Sequence, residues 1–235
     1  MSRQSSYSWE LSLLNGFCMT DSIILHGYWR SSASYRVRMA LNLKGLAWES
    51  RPVHLVRDGG QQHSEAYRSL NPQSLVPTLE IDGHAITQSL AMLEYLEERF
   101  PHPALLPAEA VARARVRAIA QAIASDIHPL NNLRVLGYLV GQLGASEQAK
   151  LDWYRHWTEL GLTQVEAMLS DGHAGRFCHG DTPTIADCCL LPQVYNARRF
   201  HCSLDAVPRV IGICDALEAI AAIEQAAPEE QDDAE

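Results

Sequence analysis

The segment Pro101-His-Pro-Ala-Leu-Leu-Pro107 places three prolines in seven residues, and neither a helix nor a central strand runs through such a stretch. It divides a chain whose two sides have different periodicities. Before it, short β-branched runs alternate with helical patterns; after it, the pattern is helical throughout. That restricts the chain to a small α/β unit followed by an all-helical one. The expected bounds are 21–101 and 108–227, with residues 1–20 as a flexible extension and 228–235 as an acidic, disordered tail.

Within the first unit, Ser22-Ile-Ile-Leu25 reads as a strand. A helix follows over 34–44, with Val37, Ala40, Leu41 and Lys44 at helical spacing and Gly45 placed to end it. Residues 48–55 read as extended, the Gly59-Gly60 pair as a loop, and 64–70 as a short helix. Val76-Pro77-Thr-Leu-Glu-Ile81 and Ala85-Ile86-Thr87 flank Asp82-Gly83, a strong hairpin signal. Residues 89–100 are helical again. The order β-α-β-α-β-β-α, with no Gly-x-Gly-x-x-Gly after the first strand, excludes a dinucleotide-binding repeat. Beyond the prolines, 108–125, 146–169, 184–200 and 208–227 are helical in pattern.

Charge and thiol usage narrow the partners. The 235-residue chain carries a net −9, of which the last eight residues contribute five acids, leaving −4 for the rest. Such a balance disfavours nucleic acid and anionic membrane as partners. The apolar stretch over 11–25 is interrupted by Asn15, Asp21 and Ser22 and has no basic region before it, so neither a membrane span nor a secretory leader is expected. Six cysteines show no Cys-x-x-Cys spacing, which fits free thiols in a reducing cytoplasm. The ten histidines form no His-x-x-x-His or His-Glu-x-x-His pair, and no metal site is expected.

Four polar features stand out. Ser31 and Ser32 lie where the 34–44 helix begins; unpaired N–H groups and the helix dipole favour an anion there, or the hydroxyls simply cap the helix. Gln88 and Ser89 open the next helix and have the same two readings. Asp126-Ile-His-Pro-Leu-Asn-Asn-Leu-Arg134 is a polar interruption of an apolar helical region, whose proline kinks the helix and frees carbonyls; a lone histidine such as His128 reads there as a satisfied core residue. Thr184-Ile-Ala-Asp187 is a capping box, a folding device with no chemistry.

Taken in order, Trp29-Arg-Ser-Ser-Ala-Ser-Tyr-Arg-Val-Arg38, Leu75-Val-Pro-Thr78 and Gln88-Ser89 resemble the glutathione-binding half of the glutathione S-transferase superfamily. Within it the chain is similar to the zeta class, the maleylacetoacetate and maleylpyruvate isomerases, from about Met19 to Pro228. The resemblance implies the glutathione S-transferase fold, a thioredoxin-like α/β domain followed by an all-α domain, with glutathione as cofactor and a homodimer as the assembly. It assigns Arg30, Ser31, Ser32 and Arg199 to catalysis. Ser31, Ser32, Arg36, Gln62, Val76, Pro77, Gln88, Ser89, His128, Asn132 and Arg134 are implied to bind glutathione, with His128, Asn132 and Arg134 facing the interdomain cleft. Pro77 is implied to be cis, the backbone of Val76 to pair with the cysteinyl part, and Gln88 and Ser89 to hold the γ-glutamyl carboxylate. Arg198 and Arg199 match a basic pair on the substrate side. The class often carries a cysteine after the paired serines; here that position is Ala33.

The implied activity is glutathione-dependent cis–trans isomerisation of a small dicarboxylic keto acid, maleylacetoacetate in aromatic amino acid catabolism or maleylpyruvate in gentisate degradation. A free thiol has a pKa of about 8.5, so lowering it by two units at the helix start takes about 2.7 kcal/mol. A hydroxyl hydrogen bond and a helix N-terminus can supply that. Two rival classes share the glutathione site: a general glutathione transferase, and a non-catalytic glutathione-binding protein.

Overall fold

The computed structural model describes residues 22–235. The expected extension over residues 1–20 lies outside the described residues, as does Cys18. Four strands, β1 (Ile23–Gly27), β2 (Trp48–Pro52), β3 (Thr78–Ile81) and β4 (His84–Thr87), form one mixed sheet in the order β2-β1-β3-β4. β1 runs parallel to β2 and antiparallel to β3, and β3 and β4 are a hairpin. The hairpin turn is Asp82-Gly83, with φ +50° and +74°; two left-handed residues in succession match the right-handed twist of the flanking strands.

Helix α1 (Ser32–Leu43) crosses between β1 and β2, and α2 (Glu65–Leu70) and α3 (Ser89–Arg99) complete the first unit. α1 is buried nearly all round, with Val37, Met39, Ala40 and Leu41 fully enclosed, because the sheet and α3 cover part of it and the helical domain covers the rest. That domain contains α4 (Ala110–Gln121), a π turn (Ala122–Ile127), the single turn α5 (His128–Leu130), α6 (Leu133–Gly141), α7 (Glu147–Met168), α8 (Ile185–Arg199), α9 (Pro208–Glu218) and α10 (Ala221–Glu224). No described helix is long and apolar enough to cross a membrane.

The proline-rich connection is tied down from the first unit. Lys44 Nζ donates to Glu97 Oε2 at 2.8 Å and to the carbonyls of Phe100 and Pro103. The Glu97 carboxylate also accepts the N–H groups of Leu105 and Leu106. A buried ion pair with its remaining valences hydrogen-bonded in this way is costly to break, about 3–5 kcal/mol for loss of one partner. At the head of α8, Asp187 accepts from Thr184 N–H and Oγ1 and from Cys178 N–H, so the capping box also anchors the preceding loop.

The structure departs from the sequence pattern at several points, and the helix expected over 208–227 is two, α9 and α10, broken at Ala219 and Ile220. The 108–125 helix changes register at the π turn, and α7 lies so close to it that a Cβ on Gly161 would meet Ile127 Cγ1 at 2.4 Å. α6 was not expected at all. Residues 228–235, expected to be a disordered tail, fold back onto the first unit. They form the 3-10 turn Pro228–Glu230, and Asp233 Oδ2 accepts the N–H of Trp29 at 3.1 Å. The order comes from these distant charge-assisted hydrogen bonds, which local composition does not reveal.

Candidate functional site

The loop after β1 carries Arg30, Ser31 and Ser32 to the wall of a 360 Å³ cavity between the sheet domain and the helices. Ser31 is the N-cap of α1: its Oγ accepts the N–H of Ser34 at 3.3 Å. Ser32, the first helical residue, accepts a hydrogen bond at Oγ from Asn196 Nδ2 of α8. In both cases the hydroxyl oxygen is the acceptor, and the hydroxyl proton remains to be donated. Ser31 is half-buried, whereas Ser32 is only 5 % exposed.

Gln62, Val76, His128, Asn132, Arg134 and Arg199 line the same cavity. Arg30 rests 4.9 Å from the Trp29 ring and Arg199 4.8 Å from the Phe200 ring. Among the described residues, neither of these arginines nor Arg134 is paired with an acid. Burial, and then the charge of Arg30, hold the Arg199 guanidinium below its ordinary pKa. Cations gathered on one wall with no carboxylate between them make a field that attracts anions.

A second space of 160 Å³ shares Gln73, Val76, His128, Asn132 and Arg134 with the first, and adds Ala33, Arg36, Pro77, Gln88 and Ser89. The Val76–Pro77 peptide is cis. Gln88 sits at φ +69° immediately before α3, and Ser89 is the first residue of that helix. Arg36 is 2 % exposed; its Nη1 donates to Ser89 Oγ at 3.2 Å, while Nε and Nη2 have no hydrogen-bond partner among the described residues. A buried guanidinium left in that state is stabilised by any anion that enters. Burial, and then the Arg36 charge, push the His128 pKa down to about 3, so its imidazole is neutral at physiological pH.

Each residue that the resemblance assigns to catalysis or to glutathione lies on one of two adjoining cavities. Arg198 does not: it turns away to Glu218 and Asp215. Sequence reasoning missed Asn196, Tyr28 and Tyr154, which also line the larger cavity. Asn196 could have been found, because it precedes Arg199 by three residues and so shares its helix face. The five described cysteines are buried free thiols, and none lines either cavity.

Residues 25–104 match the glutathione S-transferase N-terminal domain family. The chain is 47 % identical over 210 residues to a maleylacetoacetate isomerase of Pseudomonas aeruginosa, spanning 89 % of this chain and 97 % of that one. It is 46 % identical over 211 residues to a maleylpyruvate isomerase of Ralstonia sp, spanning 89 % and 98 %. Among solved structures, a bacterial zeta-class maleylpyruvate isomerase superposes with a TM-score of 0.87 at 45 % identity, over 90 % of this chain and all of that one. The maleylacetoacetate isomerase of Anaeromyxobacter dehalogenans, solved with glutathione in its active site, superposes with a TM-score of 0.82 at 44 % identity, over 91 % and 98 %. With the thioredoxin-like sheet, the helical bundle and the cleft between them, these likenesses establish that the chain belongs to the zeta class of the glutathione S-transferase family.

Proposed function

We propose that the chain is a glutathione-dependent maleylacetoacetate isomerase that converts the cis alkene to the trans fumaryl product. The observation that carries this reading is the set of three acid-free arginines, Arg30, Arg134 and Arg199, on the cavity into which the α1 N-terminus opens. A greasy electrophile has no use for three cations; a doubly anionic keto acid does. Arg36, Gln88 and Ser89 form the anion-accepting end for the γ-glutamyl carboxylate. Val76 presents its backbone to the cysteinyl part, and Gln62, His128 and Asn132 complete the glutathione wall.

In this reading Ser31 donates its hydroxyl proton as a hydrogen bond to the thiolate, its oxygen being already occupied as the cap. Greater exposure favours Ser31 over Ser32 for this contact. The thiolate sulfur forms a bond to an alkene carbon, the π pair moves through the chain onto the conjugated carbonyl oxygen, and an enolate results. Arg199 and Arg30 stabilise that oxygen charge. The former double bond rotates, the enolate pair returns, the carbon–sulfur bond breaks, and thiolate and trans product leave. No net oxidation occurs and glutathione is regenerated. The buried protein thiols take no part, and their free state accords with a reducing cytoplasm. The assembly in this reading is a homodimer.

The test is turnover of maleylacetoacetate and of maleylpyruvate, each with and without glutathione. Glutathione-dependent isomerisation with a higher kcat/KM for maleylacetoacetate supports the proposal. A preference for maleylpyruvate reassigns the substrate within the class. Faster conjugation of an aromatic chloride than isomerisation of either acid overturns it.

A further inference from the structure

The C-terminal segment, residues 226–235, touches three elements that line the larger cavity: the loop that carries Arg30, Ser31 and Ser32, the loop after β2, and α8, which carries Arg199. Around Trp29, the residue before Arg30, both flanking peptide groups are held by charged side chains. Asp233 Oδ2 accepts its N–H at 3.1 Å, and Arg38 Nη2 donates to its carbonyl at 2.9 Å. Arg38, 3 % exposed, spends its Nε on the carbonyl of Ala226 at 2.9 Å, so the segment's beginning and end grip the same residue. The chain then turns directly into the cap, with Ser31 N–H bonded to the Tyr28 carbonyl at 2.9 Å.

The segment also reaches the other two walls, by ion pairs at one and a hydrogen bond at the other. His54 Nδ1 accepts the N–H groups of Val56 and Arg57, which leaves its proton on Nε2, 3.4 Å from Glu235 Oε1. Glu235 also pairs with Arg57. This fixes the loop that brings Leu55, Val56 and Gln62 to the cavity. On α8, one residue before Asn196, Tyr195 donates its hydroxyl proton to Glu229 Oε1 at 2.6 Å.

We propose that this segment is a strap that positions the thiolate-holding loop, with Asp233 as its key positioning residue acting through the Trp29 peptide on Ser31 and Arg30. The proposal rests on the glutathione-dependent reading above. Geometry and charge make opposite predictions for Asp233. As a mere negative charge near the site, it disfavours the thiolate, and its removal lowers the pKa of bound glutathione. As the acceptor that holds Trp29, its removal lets the α1 N-terminus drift from the sulfur, and the pKa rises.

The experiment uses the full chain carrying Asp233→Ala or Asp233→Asn. It follows the ultraviolet thiolate absorbance of bound glutathione against pH, together with kcat, KM for glutathione and the thermal midpoint. The Ala variant should raise the apparent pKa by about half a unit or more and lower kcat by about fivefold, with KM for glutathione changed less than kcat. Asn keeps an acceptor oxygen while losing the charge, and should restore most of both. A fall in pKa in both variants, an unchanged pKa and kcat, or a faster Ala variant overturns the strap. A natural protein that neither binds glutathione nor isomerises a maleyl acid instead removes the reading on which it rests.

Discussion

The side-chain amide of Asn196 donates to the hydroxyl of Ser32, joining the last turns of α8 to the first residue of α1. Arg199 lies one turn further along the same face of α8, so the helix that brings this cation to the cavity also braces the first residue of α1. The two halves of the proposed chemistry are therefore coupled by one interdomain hydrogen bond. Ser32 is enclosed by that partnership, while the hydroxyl of its neighbour Ser31, which accepts from the Ser34 N–H, is left facing the cavity.

That asymmetry yields the first prediction. Ser31→Ala should raise the apparent pKa of bound glutathione by about one unit, about 1.4 kcal/mol, and Ser32→Ala by less. Thiolate absorbance titrations decide it, with thermal melts as a control, since loss of the cap itself costs about 1 kcal/mol of stability. If neither titration moves, the serines only cap α1.

Arg199→Ala should damage the substrate step and spare the cofactor. Loss of one charge-assisted hydrogen bond costs about 1.5–3 kcal/mol, which is roughly 10- to 150-fold in kcat/KM for the maleyl acid. Glutathione affinity, measured by calorimetry, should stay within about twofold. An unchanged isomerisation rate takes Arg199 out of the mechanism.

What could be read in advance follows the range of the interactions concerned. The α1 cap and the Asp82-Gly83 turn are decided within a few residues, and the proline break at 101–107 marks where strands give way to helices. The π turn is different: Ile127 fills the gap left by Gly161, a contact across more than thirty residues that no local periodicity encodes. α6, Leu-Arg-Val-Leu-Gly-Tyr-Leu-Val-Gly, contains two glycines and a largely apolar run in which no polar face marks the helical period. The C-terminal segment looked disordered because its acids have no local partners; they lie at Trp29, His54 and Arg57, far back in the chain. The family's pattern in the linear motifs is enough to name residues that line the two cavities. Asn196 is legible only as a neighbour of Arg199 on one helix face; its hydrogen bond to Ser32 depends on where α8 meets α1.

His128 gives a pH-dependent prediction. In the unfolded chain its imidazole takes up a proton below about pH 6.5, whereas burial and Arg36 keep it neutral in the folded protein down to about pH 3. Between those values the unfolded state binds more protons, so this residue's contribution is intact above the upper value and lost as pH falls. From pH 7 to pH 5 the loss amounts to about 2 kcal/mol. His128→Gln, which cannot titrate, should lose that much less stability over the same interval in denaturant titrations. Parallel losses in the two proteins would show that the ring is not held neutral by its surroundings.

The last prediction concerns Ala33, which stands where the class often has a cysteine. Ala33 lines the smaller cavity beside Arg36 and Ser89, and not the larger one that holds Arg30 and Arg199. A thiol placed there would face the proposed glutathione end and lie away from Arg30 and Arg199, the two arginines proposed to stabilise the enolate. It would therefore make a poor rival nucleophile, even with its pKa lowered by the helix start. Ala33→Cys should accordingly change the isomerisation rate by less than about tenfold, or 1.4 kcal/mol, and should confer no turnover without glutathione. The assay compares the natural protein and the variant on a maleyl acid, with and without glutathione. Substantial activity of the natural protein without glutathione is incompatible with a cofactor sulfur as the nucleophile. A natural protein that is inert with glutathione but revived by the added cysteine would mark the chain as a binder that has lost its chemistry. The expected result is equal dependence on glutathione in both, because the attacking sulfur arrives with the cofactor and the protein's part is to ionise it and to hold the anion it attacks.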